Sequence, residues 1–256
     1  MLRQIGRKHL SRSNCLVLKA LSLTGLLVGC SNAHKQPPLT APYSGQVTIA
    51  VAPVLNYSGT AELDTLKVTD ILFSELQQVE GLAVVPVNRV LAQMTQDGMD
   101  SIQSPQQAVE LAEKLGAQAI VVVAITEYSP YYPPIVGVAL QLYGFGNEDV
   151  VHSAFDPVTM ERLPSPMKVH LDLAHKYWPK SQVLRIYNSR DRRTVDEVKQ
   201  FAKERGTGTS PYEWELYLRT QTDYLRFVSH RAIRELLEQE TDRINETFLS
   251  DRREYN

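Results

Sequence analysis

Residues 119–125 read Ala-Ile-Val-Val-Val-Ala-Ile, a continuous apolar run followed by Thr126 and Glu127. Side chains along a strand alternate between two faces, so a strand is apolar throughout only where both faces are covered. The sequence around the run agrees with that setting. Upstream, Ser104-Pro105-Gln106-Gln107 is a helix start: the serine can cap, proline is pre-set for the first helical position, and Gln107 can reach back. Val109, Leu111, Ala112 and Leu115 supply a buried stripe, and Gly116 supplies the stop. Earlier still, residues 46–53 (QVTIAVAP) predict a buried strand, and Asn56-Tyr57-Ser58-Gly59 predicts the turn after it. A helix over 61–79, with Leu63, Leu66, Leu72, Leu76 and Val79 on one face, ends at Gly81. Residues 82–87 (LAVVPV) form the next strand, and Asn88 caps a brief helix bearing Val90, Leu91 and Met94. Strand and helix alternate, and the class is α/β.

Beyond Tyr128 the pattern is thinner. Residues 135–143 predict a strand between Pro133-Pro134 and Gly144, while 147–178 show no sustained period and are left unassigned. Residues 182–187 (QVLRIY) predict a further strand. Thr194 and Glu197 form a capping box for a helix carrying Val195, Val198, Phe201 and Ala202, ended by Gly206. Ser210-Pro211-Tyr212-Glu213 opens a long helical segment running toward Leu249, with a break around 220–223. Its second half gathers Leu225, Val228, Ala232, Ile233, Leu236 and Leu237 on one face, and the pairs Arg231 with Glu235 and Arg234 with Glu238 are expected along its solvated side.

The first thirty residues set the address. Arg3, Arg7, Lys8 and Arg12 precede a mostly apolar run over 15–28 that is too short to span a bilayer, the order of a signal peptide. Leu27-Val28-Gly29-Cys30 resembles a lipobox, in which the cysteine becomes the acylated N-terminus. The expected organisation is a signal peptide at 1–29, a lipidated Cys30 with a proline-containing tether to 45, an α/β domain over 46–206, and a helical segment over 207–256. Removing the leader, with five basic and no acidic residues, moves the formal charge from -2 to -7 over the remaining 227 residues. An acidic chain lacks the cationic balance that phosphate backbones require, which argues against nucleic acid as a partner. Cys15 leaves with the leader and Cys30 takes lipid, so the mature chain has no disulfide and stands on its core.

Residues 47–125 resemble a group of envelope domains that includes the N-terminal domain of TolB, the curli-secretion lipoprotein CsgG and the penicillin-binding-protein activator LpoB. The likeness rests on the strand VTIAVAP, the loop at 56–59, the helix after it, the strand LAVVPV, and SPQQAVELAEKLGAQAIVVVAIT with its Leu115-Gly116-Ala117 junction. It implies a Rossmann-like unit similar to an anticodon-binding domain, with a mixed sheet, flanking helices and no RNA role. Residues 147–256 match no member of the group.

Candidate chemistry is sparse. The first strand is followed by neither a three-glycine fingerprint nor a P-loop, so no nucleotide and no other cofactor is expected. His170, Asp172 and His175 lie within six residues, but the histidines are five apart and no nearby Cys or Glu completes a ligand set, so no metal is expected. The basic residues Arg190, Arg192, Arg193, Lys199, Lys203 and Arg205 alternate with acidic ones and read as a mixed helix face. That leaves the loops beyond the strand ends, where partners of open α/β sheets tend to meet. Tyr128, Tyr131 and Tyr132 follow the strongest strand among Pro130, Pro133 and Pro134, and Asn56 and Tyr57 should reach the same edge. Tyrosine favours interfaces. The resulting expectation is a non-catalytic outer-membrane lipoprotein, facing the periplasm, that binds another envelope protein through these five residues. A subunit of a CsgG-like channel is the alternative, although 135–143 is apolar on both faces where a barrel strand alternates. A hydrolase using Asp172 and His175 is the third.

Overall fold

The computed structural model describes residues 38–144, 177–206 and 213–254, with side chains described through 246. Cys30, the His170–Asp172–His175 group, most of the unassigned stretch and the Ser210 cap lie outside them.

The strands are β1 (Val47–Val51), β2 (Leu55–Asn56), β3 (Leu82–Val84), β4 (Ala119–Ser129), β5 (Ile135–Gly144) and β6 (Ser181–Asn188). They form one sheet in the order β3-β1-β4-β5-β6, with β2 also paired to β4. β3, β1, β2 and β4 run parallel, whereas β5 and β6 continue antiparallel, so the sheet is mixed as expected. β1 and β2 are two pieces of one strand along β4. Ala52 donates to Val121 and Tyr57 to Ile125 on either side of the gap, Pro53 has no N–H to give, and Val54 donates to Thr69 Oγ1 at 3.0 Å.

The helices are α1 (Thr65–Leu76), α2 (Val87–Gln96), α3 (Pro105–Leu115), α4 (Arg192–Glu204), α5 (Glu213–Arg219) and α6 (Gln221–Glu254). Helix α3 is set as its sequence indicates: Ser104 Oγ accepts from Gln107 N at 3.2 Å, and Gly116 closes it in the left-handed conformation at φ 68°. Helix α1 is shorter than the apolar period suggests, because Asp64 accepts from Lys67 N and fixes the start there. Two caps need correction. Asn88 lies inside α2, which starts after Pro86 without a side-chain cap. Asp191, not the Thr194–Glu197 pair, precedes α4: Thr194 is buried and the Glu197 carboxylate is held by Arg185.

Each sheet face has its own core. On one lie α1, α4, α5 and α6, with Leu72, Leu76, Phe201, Phe227 and Ile233 against Val121, Val123, Leu140 and Tyr187. On the other, α2 and α3 bring Val90, Met94, Leu111 and Leu115 against Ala50, Ile120 and Tyr143. The run at 119–125 therefore has packing on both sides, with Val122 and Ala124 half-buried on the α3 side and the other five residues buried. The C-terminal helix belongs to this core rather than standing apart from it. The domain also reaches further upstream than expected, since Leu39 and Ala41 bond Glu80 through their backbones and Ala41 is buried.

Charge ties the first helix layer together. Arg185 on β6 is gripped by both oxygens of Glu197 at 2.8 and 2.7 Å and by Glu235, and Arg231 lies 3.5 Å from Glu197. Arg234 pairs with Glu204 of α4 at 2.8 Å, so Arg231 and Arg234 sit in the α4–α6 seam rather than on the solvated side that their spacing suggests. Glu75 of α1, its side chain 1% exposed, meets Arg205, Arg226 at 3.9 Å and His230 at 3.2 Å.

Candidate contact surface at the end of the sheet

The tyrosine-rich segment is the β4–β5 hairpin end, and a single irregularity decides where its side chains go. Before it, Val121, Val123 and Ile125 face α1 and α6, while Val122, Ala124 and Thr126 face the α3 side. The β4–β5 register then shifts between Ile125 and Glu127. A bulge of this kind places one extra residue in one strand and exchanges the faces beyond it. Gly137 makes room for it: a Cβ there would stand 2.6 Å from Thr126 Oγ1 and 3.0 Å from Glu127 N. Tyr128 is consequently turned onto the α6 side, where it packs on the core and its hydroxyl accepts from Gln221. Burial pushes its phenol above the ordinary value.

Tyr131 and Tyr132 stand out from the hairpin end at 70% and 66% exposure. Each touches one charged neighbour. The Tyr131 hydroxyl donates to Glu62 Oε1 at 3.3 Å, and the Arg219 guanidinium lies 5.6 Å from the Tyr132 ring centroid. Tyr128, Tyr131 and Tyr132 thus border the ends of α1, α5 and α6, with a carboxylate and a guanidinium beside two exposed rings.

Asn56 and Tyr57 behave differently. Asn56 Oδ1 accepts from Ser58 N at 3.1 Å and Ser58 Oγ at 2.6 Å, and Nδ2 donates to Thr60 O at 2.7 Å. Its polar atoms are spent on folding the loop into α1. Tyr57 is 66% exposed, but it and Leu55 line a groove of about 270 Å³ on the α3 side, with Ala124, Thr126, Ala139 and Gln141 as its floor. Sequence reasoning missed this groove, because its floor combines two alanines with Thr126 and Gln141 from two strands and carries no motif. The five expected residues therefore reach one end of the sheet, with Tyr57 on the groove side and Tyr128 turned to the other.

No protein-family model and no curated protein matches the chain. Among solved structures, it is similar to the LpoB C-terminal domain from Salmonella enterica, at 20% identity over 41% of this chain and 74% of that one, TM-score 0.34. It is similar also to lipoprotein GNA1162 from Neisseria meningitidis, at 26% identity over 38% of this chain and 69% of that one, TM-score 0.30. The hypothetical protein CT253 from Chlamydia trachomatis aligns over 78% of this chain and 96% of its own, at 13% identity and TM-score 0.32. TM-scores this low fix neither family nor function.

Among the described residues, no group of three or more His, Cys, Asp or Glu side chains could hold a metal ion, and no helix is long and apolar enough to cross a membrane.

Proposed function

We propose that this chain is a non-catalytic, lipid-anchored adaptor of the bacterial outer membrane that binds another envelope protein with the hairpin end of its sheet. The observation that supports this reading is the pair of exposed rings at Tyr131 and Tyr132. An exposed aromatic pair flanked by Glu62 and Arg219 offers large apolar area with polar groups at its border, the usual composition of a binding hot spot and its rim. Pro130, Pro133 and Pro134 limit the chain entropy lost when such a loop is held by a partner. Tyr128 anchors the base of the loop, and Tyr57 extends the surface toward the groove.

The membrane part of the proposal rests on the Leu27-Val28-Gly29-Cys30 sequence, with Ser31 after the cysteine favouring the outer membrane by resemblance to other lipoproteins. Mass spectrometry of the mature N-terminus is expected to find Cys30 as the first residue, carrying acyl chains, in protein from the outer-membrane fraction. An unmodified N-terminus elsewhere, or a Cys30→Ser variant still processed and membrane-bound, would remove the anchor from the account.

A further inference from the structure

Among the described residues, the last strand of the sheet, β6, has one neighbour, and its other side is not blunted by proline or lysine. Antiparallel pairing alternates, so along β6 every second residue points its N–H and C=O away from β5. Two contacts fix the phase. Ser189 donates to Pro134 across the ladder, whereas Gln182 N turns outward and donates to Gln239 Oε1 at 3.2 Å. The outward residues are therefore the even ones. At the far end Asn188 O is occupied by Asp191 N. Between these two ends, Leu184 and Ile186 present their N–H and C=O groups to the open edge. Their side chains are also 78% and 55% exposed, on the face opposite α6. An exposed edge strand with apolar side chains is a template for another strand.

The pattern of occupied and open backbone groups along β6, together with its sequence, indicates which strand. Around Arg185 the residues mirror one another by type: Leu184 and Ile186, Val183 and Tyr187, Gln182 and Asn188. About a two-fold axis residue i meets j and j meets i, so with the axis at Arg185 the outward groups of Leu184 meet those of Ile186, and the occupied Gln182 N–H faces the occupied Asn188 C=O, leaving no outward donor or acceptor mismatched. We propose that a second copy of this chain docks along β6, antiparallel, with the two-fold axis at Arg185, so that the two sheets become continuous. Leu184 of one protomer then pairs with Ile186 of the other and the reverse, through backbone groups that have no partner among the described residues, leaving the Gln182–Gln239 and Asn188–Asp191 bonds in place. Registers centred on residue 184 or 186 would have to use one of those occupied groups. Arg185 meets its own copy, a pairing that repels unless the charge is compensated. Here Glu197 and Glu235 hold the guanidinium, and it lies back over its own Tyr187 ring at 4.6 Å.

Sedimentation of the full chain over a concentration series, in one mild detergent throughout, tests this. The wild-type chain is expected to show a monomer–dimer equilibrium. The double variant Leu184→Lys with Ile186→Lys should weaken it by about a hundredfold or more, since like charges then face each other. Leu184→Lys with Ile186→Glu should restore pairing, because in this register position 184 of each protomer faces position 186 of the other, and no other two-fold register sets the introduced lysine against the introduced glutamate. Both side chains are exposed, so circular dichroism should be unchanged in either variant. A wild-type chain that stays monomeric, a Lys–Lys variant that dimerises normally, or a Lys–Glu variant as weak as Lys–Lys would each overturn the proposal. The edge is separate from the tyrosine surface, and its failure leaves the adaptor reading standing.

Discussion

Replacing Glu75 by alanine is expected to destabilise the domain by about 3 kcal/mol, the lower end of what breaking a buried ion pair costs. The carboxylate is 1% exposed and is the common partner of Arg205 from the end of α4 and of Arg226 and His230 from α6. Without it Arg205 and His230 lose a hydrogen-bond partner, and Arg226 loses a negative charge 3.9 Å away, where three helices meet. Arg205 and Arg226 are 25% and 42% exposed and can turn toward water, which holds the loss to the low end, whereas His230 is 13% exposed and keeps Glu204 at 3.7 Å as its remaining carboxylate. Glu75→Gln keeps the volume and one acceptor and should cost less than Glu75→Ala. Denaturant titration of both variants decides the order. Equal losses would mean that the charge, which both variants remove, is all that Glu75 contributes, whereas a glutamine variant as stable as wild type would mean that packing, not the charge network, is its contribution.

Phe227→Ala is expected to cost about 3–5 kcal/mol, as removal of a buried aromatic ring commonly does, and to lower the melting temperature by roughly 10 °C for a chain of this size. The ring is fully buried and lies 5.7 Å from Tyr187, 5.8 Å from Phe201 and 5.7 Å from Tyr224 between centroids. It therefore joins β6, α4 and α6 in one cluster that a cavity would open from three sides. Tyr224 adds a buried hydrogen bond to Tyr187 O at 2.9 Å, which holds α6 to the sheet beside the lost ring. A thermal melt that moves by only one or two degrees would show that α6 is pinned chiefly by its ion pairs.

These two residues also mark the limit of what could be read in the sequence. The α/β class, the doubly covered strand at 119–125 and the Ser104-to-Gly116 helix were legible because each depends on neighbours a few positions away. The C-terminal apolar face, including Val228, Ile233 and Leu236, was legible for the same reason, although not what it packs against. Glu75 reads as an ordinary polar position on α1, and only tertiary packing brings the cations of α4 and α6 to it. Glu197 shows the reverse error: its spacing from Thr194 suits a capping box, but Arg185, from a strand earlier in the chain, offers the stronger partner.

The contact surface divides along the same line. Tyr131 and Tyr132 were legible as an exposed pair because the prolines around them exclude a regular element. The sequence put Tyr128 with them, and the bulge at Thr126 and Glu127 turned it onto the core, a consequence of Gly137 on the neighbouring strand. Asn56 is a surface residue, as its sequence position indicates, but its polar atoms are engaged by Ser58 and Thr60, which only the folded loop shows. The open edge at Leu184 and Ile186 could not be seen at all, since QVLRIY reads simply as a further strand and its place at the end of the sheet is set by tertiary pairing.

The central claim is that the hairpin end of the sheet holds a protein partner. It is tested most directly by capture from solubilised envelope membranes with the wild-type lipoprotein and with the Tyr131→Ala, Tyr132→Ala double variant, each checked by thermal melting. The account predicts one or more envelope proteins retained by the wild-type chain, weakened in the double variant by about 2 kcal/mol or more, with an unchanged melting temperature because both rings are two-thirds exposed. Equal capture by both chains, or a fall in stability without a change in capture, would contradict it.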